Sequence, residues 1–276
     1  MGQDIRGKHI VITGGAGFIG APLARRLSRE NTLTIIDNLS TGSEEAIRDL
    51  LHSNNVRLVC TDVCNEPETR SLYDGADMVF HLAVLNLRAC MRNPLLAEKV
   101  NVRGTMLTAM QALEAGVARF VYVSSSDIYG DVDVYPTPET CLPRPTTVYG
   151  AVKLAGELVC ASLRRAHGLP ALLVRPFNTY GPGEHLGGDS GEVLPRFIRY
   201  ALLNEPLPIY GAGSQTRSFT HIRDTVQGLV QAACVQQLPD SPVNIACPDD
   251  VSVNDAAHAV LSAMDMPDHL LEYLPA

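Results

Sequence analysis

The sequence has no run of lysines or arginines. Its 22 basic residues are outnumbered by 30 acidic ones, and the net charge is −8 at neutral pH. A chain that binds polyphosphate backbones needs the opposite balance, so nucleic acid and anionic membrane are poor partners. There is no Cys-x-x-Cys pair. The seven cysteines (60, 64, 90, 141, 160, 234 and 247) are scattered, and no histidine stands near Cys60 and Cys64 at zinc-ligand spacing. This argues against a disulfide framework or a metal site and for reduced thiols in a cytosolic protein. The N-terminus lacks a signal-peptide pattern, and no apolar run reaches membrane-spanning length. The expectation is a soluble, cytoplasmic protein. Short-period repeats and low-complexity segments are absent as well.

What is present is a 276-residue chain with 46% hydrophobic residues, enough to bury a sizeable core. Short apolar runs alternate with longer helical patterns through its first two thirds. Strands are predicted at "HIVIT" (9–13), "TLTII" (32–36), "VRLVC" (56–60), "DMVFHLA" (77–83), "RFVYVS" (119–124) and "PALLVR" (170–175). Their near-continuous apolar character suits a parallel sheet covered on both faces. Helical stretches fall near 18–29, 44–52, 95–116 and 147–167. The alternation predicts an α/β fold with a doubly wound parallel sheet.

The character changes after Arg175. Residues 176–191, "PFNTYGPGEHLGGDSG", are dense in glycine and proline and read as a long loop. A helix is predicted over 192–203, a short strand at "LPIYG" (207–211), and a helix after "SFTHIRD" (218–224). "SVND" (252–255) reads as a capped helix start with Ser252 as N-cap. The chain is thus divided into a main domain, 1–175, and a smaller lobe, 176–276, that shapes a substrate pocket.

"TGGAGFIG" (13–20) follows the first strand and opens the first helix. Gly14 suits a tight turn, Gly17 a close approach of backbone to a diphosphate, and Gly20 close packing of helix on strand. Asp37 ends the second strand in "TIIDN", placed to accept hydrogen bonds from ribose hydroxyls. Its charge would repel a 2′-phosphate, which favours NAD over NADP. Asp62 ends the third strand, where it can reach an adenine or simply cap the strand. His81 ends the fourth and reads as a packed structural histidine.

"YGAVK" sets Tyr149 and Lys153 four apart, on one face of a helix. Tyrosine is a poor base at its ordinary pKa near 10. A neighbouring ammonium favours the phenolate, which can then take a proton from a sugar hydroxyl during hydride transfer.

With these pieces in place, the chain resembles the extended short-chain dehydrogenases/reductases of the nucleotide-sugar epimerase/dehydratase group. The resemblance rests on "TGGAGFIG", "DN" (37–38), "DV" (62–63), "HLA" (81–83), "NVRGT" (101–105), "SSSDIYG" (124–130), "YGAVK", "RPFNTYGPGE" (175–184) and "GAGSQTRSFTHIRD" (211–224). It implies a tightly bound NAD touched by Gly14, Gly17, Phe18, Ile19, Gly20, Asp37, Asn38, Asp62, Val63, Leu82, Ala83, Asn101, Tyr149 and Lys153. It implies Tyr149 as the base, Lys153 on the nicotinamide ribose, and Ser125 on the sugar C4 oxygen. Ser126 would line the sugar site, Asn178 and Arg217 would hold the diphosphate, and Val193 and Leu194 the nucleotide. It also implies a homodimer through a four-helix bundle of the 95–116 and 147–167 helices. Leu95, Leu96, Val100, Val152, Val159 and Leu163 are compatible with that, and equally with packing on the sheet. Family members usually run further, through a second phosphate-binding arginine and a final helix. This sequence stops at "LEYLPA", about where that segment begins, so the lobe is expected to be cut short or to have its tail elsewhere.

The same resemblance bears on the reaction, which begins with oxidation at sugar C4. In 4,6-dehydratases a Thr-Asp-Glu stretch supplies two carboxyls. In 4-epimerases a hydroxyl is followed by small neutral residues. In UDP-glucuronate decarboxylases the stretch reads hydroxyl–small–Glu. Ser125-Ser126-Asp127 lacks the first carboxyl and keeps an acid, shorter by one methylene, at the second position. The leading expectation is an NAD-dependent 4-epimerase, an isomerase, acting on a UDP-sugar. The alternative is a lyase, a decarboxylase or unusual dehydratase, with Asp127 handling a proton. A third reading is a catalytically silent NAD-binding protein. Asp127 can also be a turn residue that bonds nearby backbone.

Overall fold

A computed structural model describes residues 4–132, 134–184 and 192–275. The chain runs β1 (His9–Thr13), α1 (Gly20–Leu27), β2 (Thr32–Asp37), α2 (Arg48–Leu51), β3 (Val56–Cys60), α3 (Glu66–Thr69) and β4 (Met78–His81). Next come α4 (Leu87–Arg92), α5 (Pro94–Glu98), a π-helical turn over Lys99–Gly104, α6 (Thr105–Glu114), β5 (Arg119–Val123), α7 (Val148–His167) and β6 (Ala171–Pro176). After these lie β7 (Thr179–Tyr180), α8 (Val193–Leu202), β8 (Leu207–Tyr210), β9 (Thr216–Arg217) and β10 (Thr220–His221). The last elements are α9 (Ile222–Ala233), β11 (Val243–Ile245), β12 (Val251–Ser252), α10 (Val253–Ala263) and β13 (Leu271–Leu274).

Two compact units result. The first comprises the chain through Pro176 together with Ile222–Ile245, and the second Phe177–His221 with Ala246 onward. A simple cut after Arg175 therefore misplaces α9 and β11. β11 pairs in parallel with β6, Val243 beside Val174, and becomes the seventh strand of the main sheet. Leu229 and Val230 of α9 are buried in the same core.

The first unit is a parallel sheet in the order β11-β6-β5-β4-β1-β2-β3. Alternation along each strand feeds two cores, one on either face. Ile10 and Ile12 of β1 join Leu23, Leu33, Ile35 and Leu172 on one side. Val11 joins Ile36, Val79, Phe120, Tyr122 and Cys160 on the other. This two-sided burial is why the strands are apolar almost without interruption. β1 lies between β2 and β4, where the strand order reverses. In sheets of this kind ligands bind at that point, beyond the carboxyl ends of the strands.

The segment expected as one helix over 95–116 is not continuous. α5 and α6 are separated by the π-helical turn. The side chain of Asn101 in that turn accepts from the Leu85 N–H at 2.7 Å and donates to the Leu85 carbonyl at 3.0 Å. The widened turn fits this cross-link, which periodicity does not reveal. α7 starts at the N-cap Thr147, whose hydroxyl accepts from the Gly150 N–H at 2.9 Å. It stops at Gly168, in the left-handed region at φ 77°.

The second unit has its own core of Phe197, Ala201, Leu207, Ile209, Val253, Ala257 and Leu261. β13 pairs in parallel with β8, and β12 antiparallel with β9. Ser252 caps α10 as expected, its hydroxyl accepting from Asp255 N–H at 3.0 Å. Residues 185–191 of the predicted long loop lie outside the described residues. Among the described residues, no helix is long and apolar enough to cross a membrane.

Candidate active site

The glycine-rich turn joins β1 to α1 across the sheet's switch point. Gly14, at φ 69°, lies so close to the chain after β4 that a Cβ there would sit 2.7 Å from the Ala83 nitrogen. A Cβ on Gly20 would sit 2.1 Å from the Gly14 carbonyl oxygen. These two positions draw helix, turn and strand together. Among the described residues, the Phe18 and Ile19 N–H groups at the head of α1 have no acceptor, the donor set that suits a diphosphate. The carboxylate of Asp37 accepts from Ala16 N–H at 3.0 Å and from Leu39 N–H at 2.8 Å. Each oxygen keeps acceptor capacity, so the end of β2 still suits ribose hydroxyls. The turn and its acid thus fit a dinucleotide.

Other sequence candidates are partly engaged in holding the fold. Asp62 accepts from the Cys64 N–H at 2.8 Å and from Asn38 Nδ2 at 3.1 Å. Val63 is buried in the core, so its side chain is not offered to a ligand. The Asn101 amide is spent on Leu85, next to the Leu82–Ala83 stretch. His81 is buried, and that burial pushes its pKa down to about 3. Its Nδ1 stands 2.7 Å from the Thr13 hydroxyl and its Nε2 2.9 Å from that of Thr105. Thr105 donates to the Asn101 carbonyl at 2.8 Å. With that proton committed, Nε2–H donates to Thr105 and Nδ1 accepts from Thr13. Thr13 in turn accepts from Ala83 N–H at 3.3 Å.

The end of β5 and the start of α7 bring five further candidates, Ser125, Ser126, Asp127, Tyr149 and Lys153, into one unit. Lys153 is buried, with its ammonium donating to the Val123 carbonyl at the end of β5 and lying 4.7 Å from the centre of the Tyr122 ring. Burial pulls its pKa down to about 8, against the opposing pull of Glu157. Tyr149, half-buried, occupies the first turn of α7, four residues earlier. Ser124 follows the strand, its N–H donating to Val174 at 2.7 Å while its buried hydroxyl lacks a partner among the described residues. The Ser125 hydroxyl accepts from Asp127 N–H at 3.2 Å and caps a single turn over Ser126–Tyr129. Asp127 accepts a hydrogen bond from the Thr147 hydroxyl.

Behind them lies a network that sequence reasoning missed. Arg175 donates to both oxygens of Glu157, at 2.9 and 2.6 Å, with both side chains 4% exposed. A third donor reaches the Tyr129 hydroxyl at 2.7 Å, which donates to Asn244 at 2.8 Å. Tyr129 is thereby a structural tyrosine. Glu157 stands four after Lys153, and Thr147 just before the helix; both positions were readable as an i,i+4 partner and an N-cap.

Four candidates belong to the second unit. Asn178, at φ 24°, donates to the Ser218 carbonyl at 3.2 Å. Arg217 is exposed on β9, and Val193 and Leu194 open α8 and pack against that unit's core.

A profile of the NAD dependent epimerase/dehydratase family matches residues 10–246. The chain belongs to this family. Within it, the chain is 33% identical to UDP-glucuronic acid decarboxylase 1 of Danio rerio over 97% of this chain and 63% of that protein. The first curated relatives it matches are longer, and the chain spans about three fifths of their length. Among solved epimerase/dehydratase structures, UDP-N-acetylglucosamine 4-epimerase from Methanobrevibacter ruminantium aligns with a TM-score of 0.92 at 27% identity, covering 98% of this chain and 86% of that one. UDP-glucuronic acid 4-epimerase from Bacillus cereus, solved with UDP-glucuronic acid and NAD, aligns with a TM-score of 0.89 at 26% identity, covering 97% and 86%. The family is NAD dependent, in keeping with the glycine turn and Asp37.

Proposed function

We propose that the chain carries the C4-oxidising centre of an enzyme for UDP-linked uronic acids, and that its 4-keto intermediate loses carbon dioxide. The carrying observation is Lys153, anchored at the end of β5 beside the Ser125 turn and four residues from Tyr149 on α7. Tyr149 as phenolate takes the C4 hydroxyl proton, Ser125 hydrogen-bonds the C4 oxygen, and Lys153 favours the phenolate by its charge. NAD, which the glycine turn and Asp37 would hold, would supply the acceptor and later the donor of the C4 hydride. A carboxyl at C6 is then β to the new ketone. Carbon dioxide leaves with the C5–C6 bond pair moving toward the C4 oxygen, and the resulting enolate takes a proton at C5 from water. No second side-chain acid is needed, which suits a site where Ser126 replaces the first carboxylate of a dehydratase. The decarboxylase relatives support this route.

A second reading is 4-epimerisation, supported by the epimerase structures and by the neutral Ser126. There the ketone turns and takes hydride on its other face. Both readings start from one substrate class, so a single experiment separates them. The protein is incubated with UDP-glucuronic acid and the products are followed by NMR. A UDP-pentose with released carbon dioxide is expected; the 4-epimer with its carboxyl intact would establish the second reading instead. Neither product, here or from the N-acetylated analogue, would sink both.

The active form is proposed to be a homodimer. Leu95 on α5 is 83% exposed and Leu158 on α7 61% exposed, with Met106 and Met110 on α6 also open to solvent. Leu158, Val159 and Leu163 share a groove with Met106. Such an apolar face suits a second copy of the chain. Leu158→Glu is expected to give a monomer in sedimentation; a wild-type monomer at the same concentration would rule the pairing out.

A further inference from the structure

Asp127 holds a position between the two side chains that the proposed chemistry needs aligned. Its own N–H donates to the Ser125 hydroxyl at 3.2 Å. Its carboxylate accepts from the Thr147 hydroxyl. That same hydroxyl accepts from the Gly150 N–H at 2.9 Å and so caps α7 two residues before Tyr149. The backbone makes the same junction. A Cβ on Gly150 would lie 2.5 Å from the Asp127 carbonyl oxygen, so glycine is what lets α7 press against the Ser125 turn. Asp127 therefore grips the Ser125 turn with its backbone and the head of α7 with its side chain.

We propose that Asp127 is a positioning residue that acts through Thr147 to set Tyr149 against Ser125, and is not a proton-transfer group. The inference deepens the proposed function and rests on it for the role of Tyr149. The carboxylate orients the Thr147 hydroxyl by accepting its single O–H hydrogen bond, which turns the hydroxyl's lone pairs toward the Gly150 N–H. Asparagine can do the same with its amide oxygen. Alanine at 127 frees the hydroxyl to rotate, and valine at 147 removes the cap.

Charge and position have opposite consequences for Tyr149. Removing a nearby negative charge eases phenolate formation, while loosening the first turn of α7 carries the phenol away from the Lys153 ammonium and hinders it. The test is a pH titration of Tyr149, labelled with ¹³C at Cζ, in the NAD-loaded full chain. It is run on the wild type, Asp127→Asn, Asp127→Ala, Thr147→Val, Thr147→Ser and the double variant Asp127→Ala/Thr147→Val. Asp127→Asn and Thr147→Ser are expected to titrate at or below the wild-type value. Asp127→Ala and Thr147→Val are each expected to rise by about one pH unit. The double variant should rise no further, because both changes break one device. Turnover of UDP-glucuronic acid should follow the same grouping, within about threefold of wild type for the conservative pair and down about tenfold or more for the others.

A Thr147→Val variant with wild-type titration and turnover would overturn the proposal. So would an Asp127→Asn variant that forms bound NADH from substrate yet releases no product, which is the behaviour of a lost proton carrier. The phenol titration needs no substrate. If the wild type turns over no nucleotide sugar while the grouping of titrations holds, the proposed function fails and the positioning role stands.

Discussion

The ammonium of Lys153 donates to the carbonyl oxygen of Val123, tying the second turn of α7 to the end of β5. The cost of burying that charge lowers the Lys153 pKa to about 8. Two opposite pH effects follow. Above about pH 8 the ammonium is lost, and with it the charge that favours the Tyr149 phenolate, so kcat/KM is expected to fall on that limb. The neutral amine, however, is the form the interior prefers. Between about 8 and the ordinary lysine value of 10.5 the unfolded chain binds more protons at this site, so its contribution to stability rises with pH. Other groups titrate in the same window, notably Cys64 and Cys90, both pushed up to about 11 by burial. The comparison must therefore be made against Lys153→Met. The wild type should gain on that variant in urea unfolding as pH rises from 8 to 10.5. A gap that is constant across the range would show that Lys153 is not a buried, depressed amine.

Glu157 and Arg175 form a buried bidentate pair, and breaking it leaves a charge without a partner. Glu157→Gln is expected to destabilise the first unit by about 3–5 kcal/mol, read as a lowered urea midpoint at unchanged slope. Replacing both residues with methionine should cost less than the single change, because no charge is then stranded. A single variant as stable as wild type would mean that water reaches the pair. Glu157 also opposes the burial effect on Lys153, so the alkaline limb of Glu157→Gln should move to lower pH.

Much of the first unit was legible because its physics is local. Six of the seven strands of the main sheet are apolar runs whose limits lie within two residues of those read from the sequence. β11, three residues long and half-buried, carries no such signal and is a strand only because β6 offers it an edge. The break between α5 and α6 was invisible for a related reason. Asn101 widens the turn to reach Leu85, sixteen residues earlier, and periodicity within a helix says nothing of such a partner. The candidate site divides the same way. Gly14, Asp37, Tyr149 and Lys153 stood out by motif and spacing. Thr147 and Glu157 carry only local cues, as an N-cap and an i,i+4 partner, while Arg175 and Tyr129 act through contacts that only the fold brings together. Asp127 was visible as an acid, but its partner Thr147 lies twenty residues on.

Gly20 offers a direct test of the dinucleotide turn. An alanine methyl there would meet backbone, the Gly14 carbonyl oxygen at 2.1 Å, and no rotamer change can relieve it. Helix α1 must shift away from the turn, carrying the Phe18 and Ile19 N–H groups with it. Gly20→Ala is expected to purify with less than a tenth of the wild-type NAD content while keeping its far-ultraviolet circular dichroism. Full cofactor occupancy in this variant would remove the turn from the binding site.

His81 is expected to be silent in catalysis and costly to remove. Burial holds its pKa near 3, and the threonines on either side fix the proton on Nε2. Its ring nitrogens should show one unchanging Nε2–H tautomer by ¹⁵N NMR from pH 5 to 9, and the pH–rate profile should contain no limb that His81→Leu removes. That variant keeps an apolar side chain but leaves the Thr13 hydroxyl proton without its acceptor in the interior, while Thr105 still donates to the Asn101 carbonyl. At about 1–3 kcal/mol for an unsatisfied buried group, the expected loss is roughly 1–3 kcal/mol. The loss should also reach the cofactor, because Thr13 accepts from the Ala83 N–H and Thr105 holds the Asn101 carbonyl. Once the imidazole is gone, Thr13 and Thr105 lose the ring that aligns them, while the Leu82 and Ala83 N–H bonds to Thr13 and the Leu85–Asn101 bonds still hold the chain after β4 in a looser arrangement. NAD affinity should fall with stability in His81→Leu and recover in a His81→Gln variant, whose amide can both donate and accept. Titration of the His81 ring between pH 5 and 8 would contradict this assignment, since a charged imidazole cannot accept from Thr13.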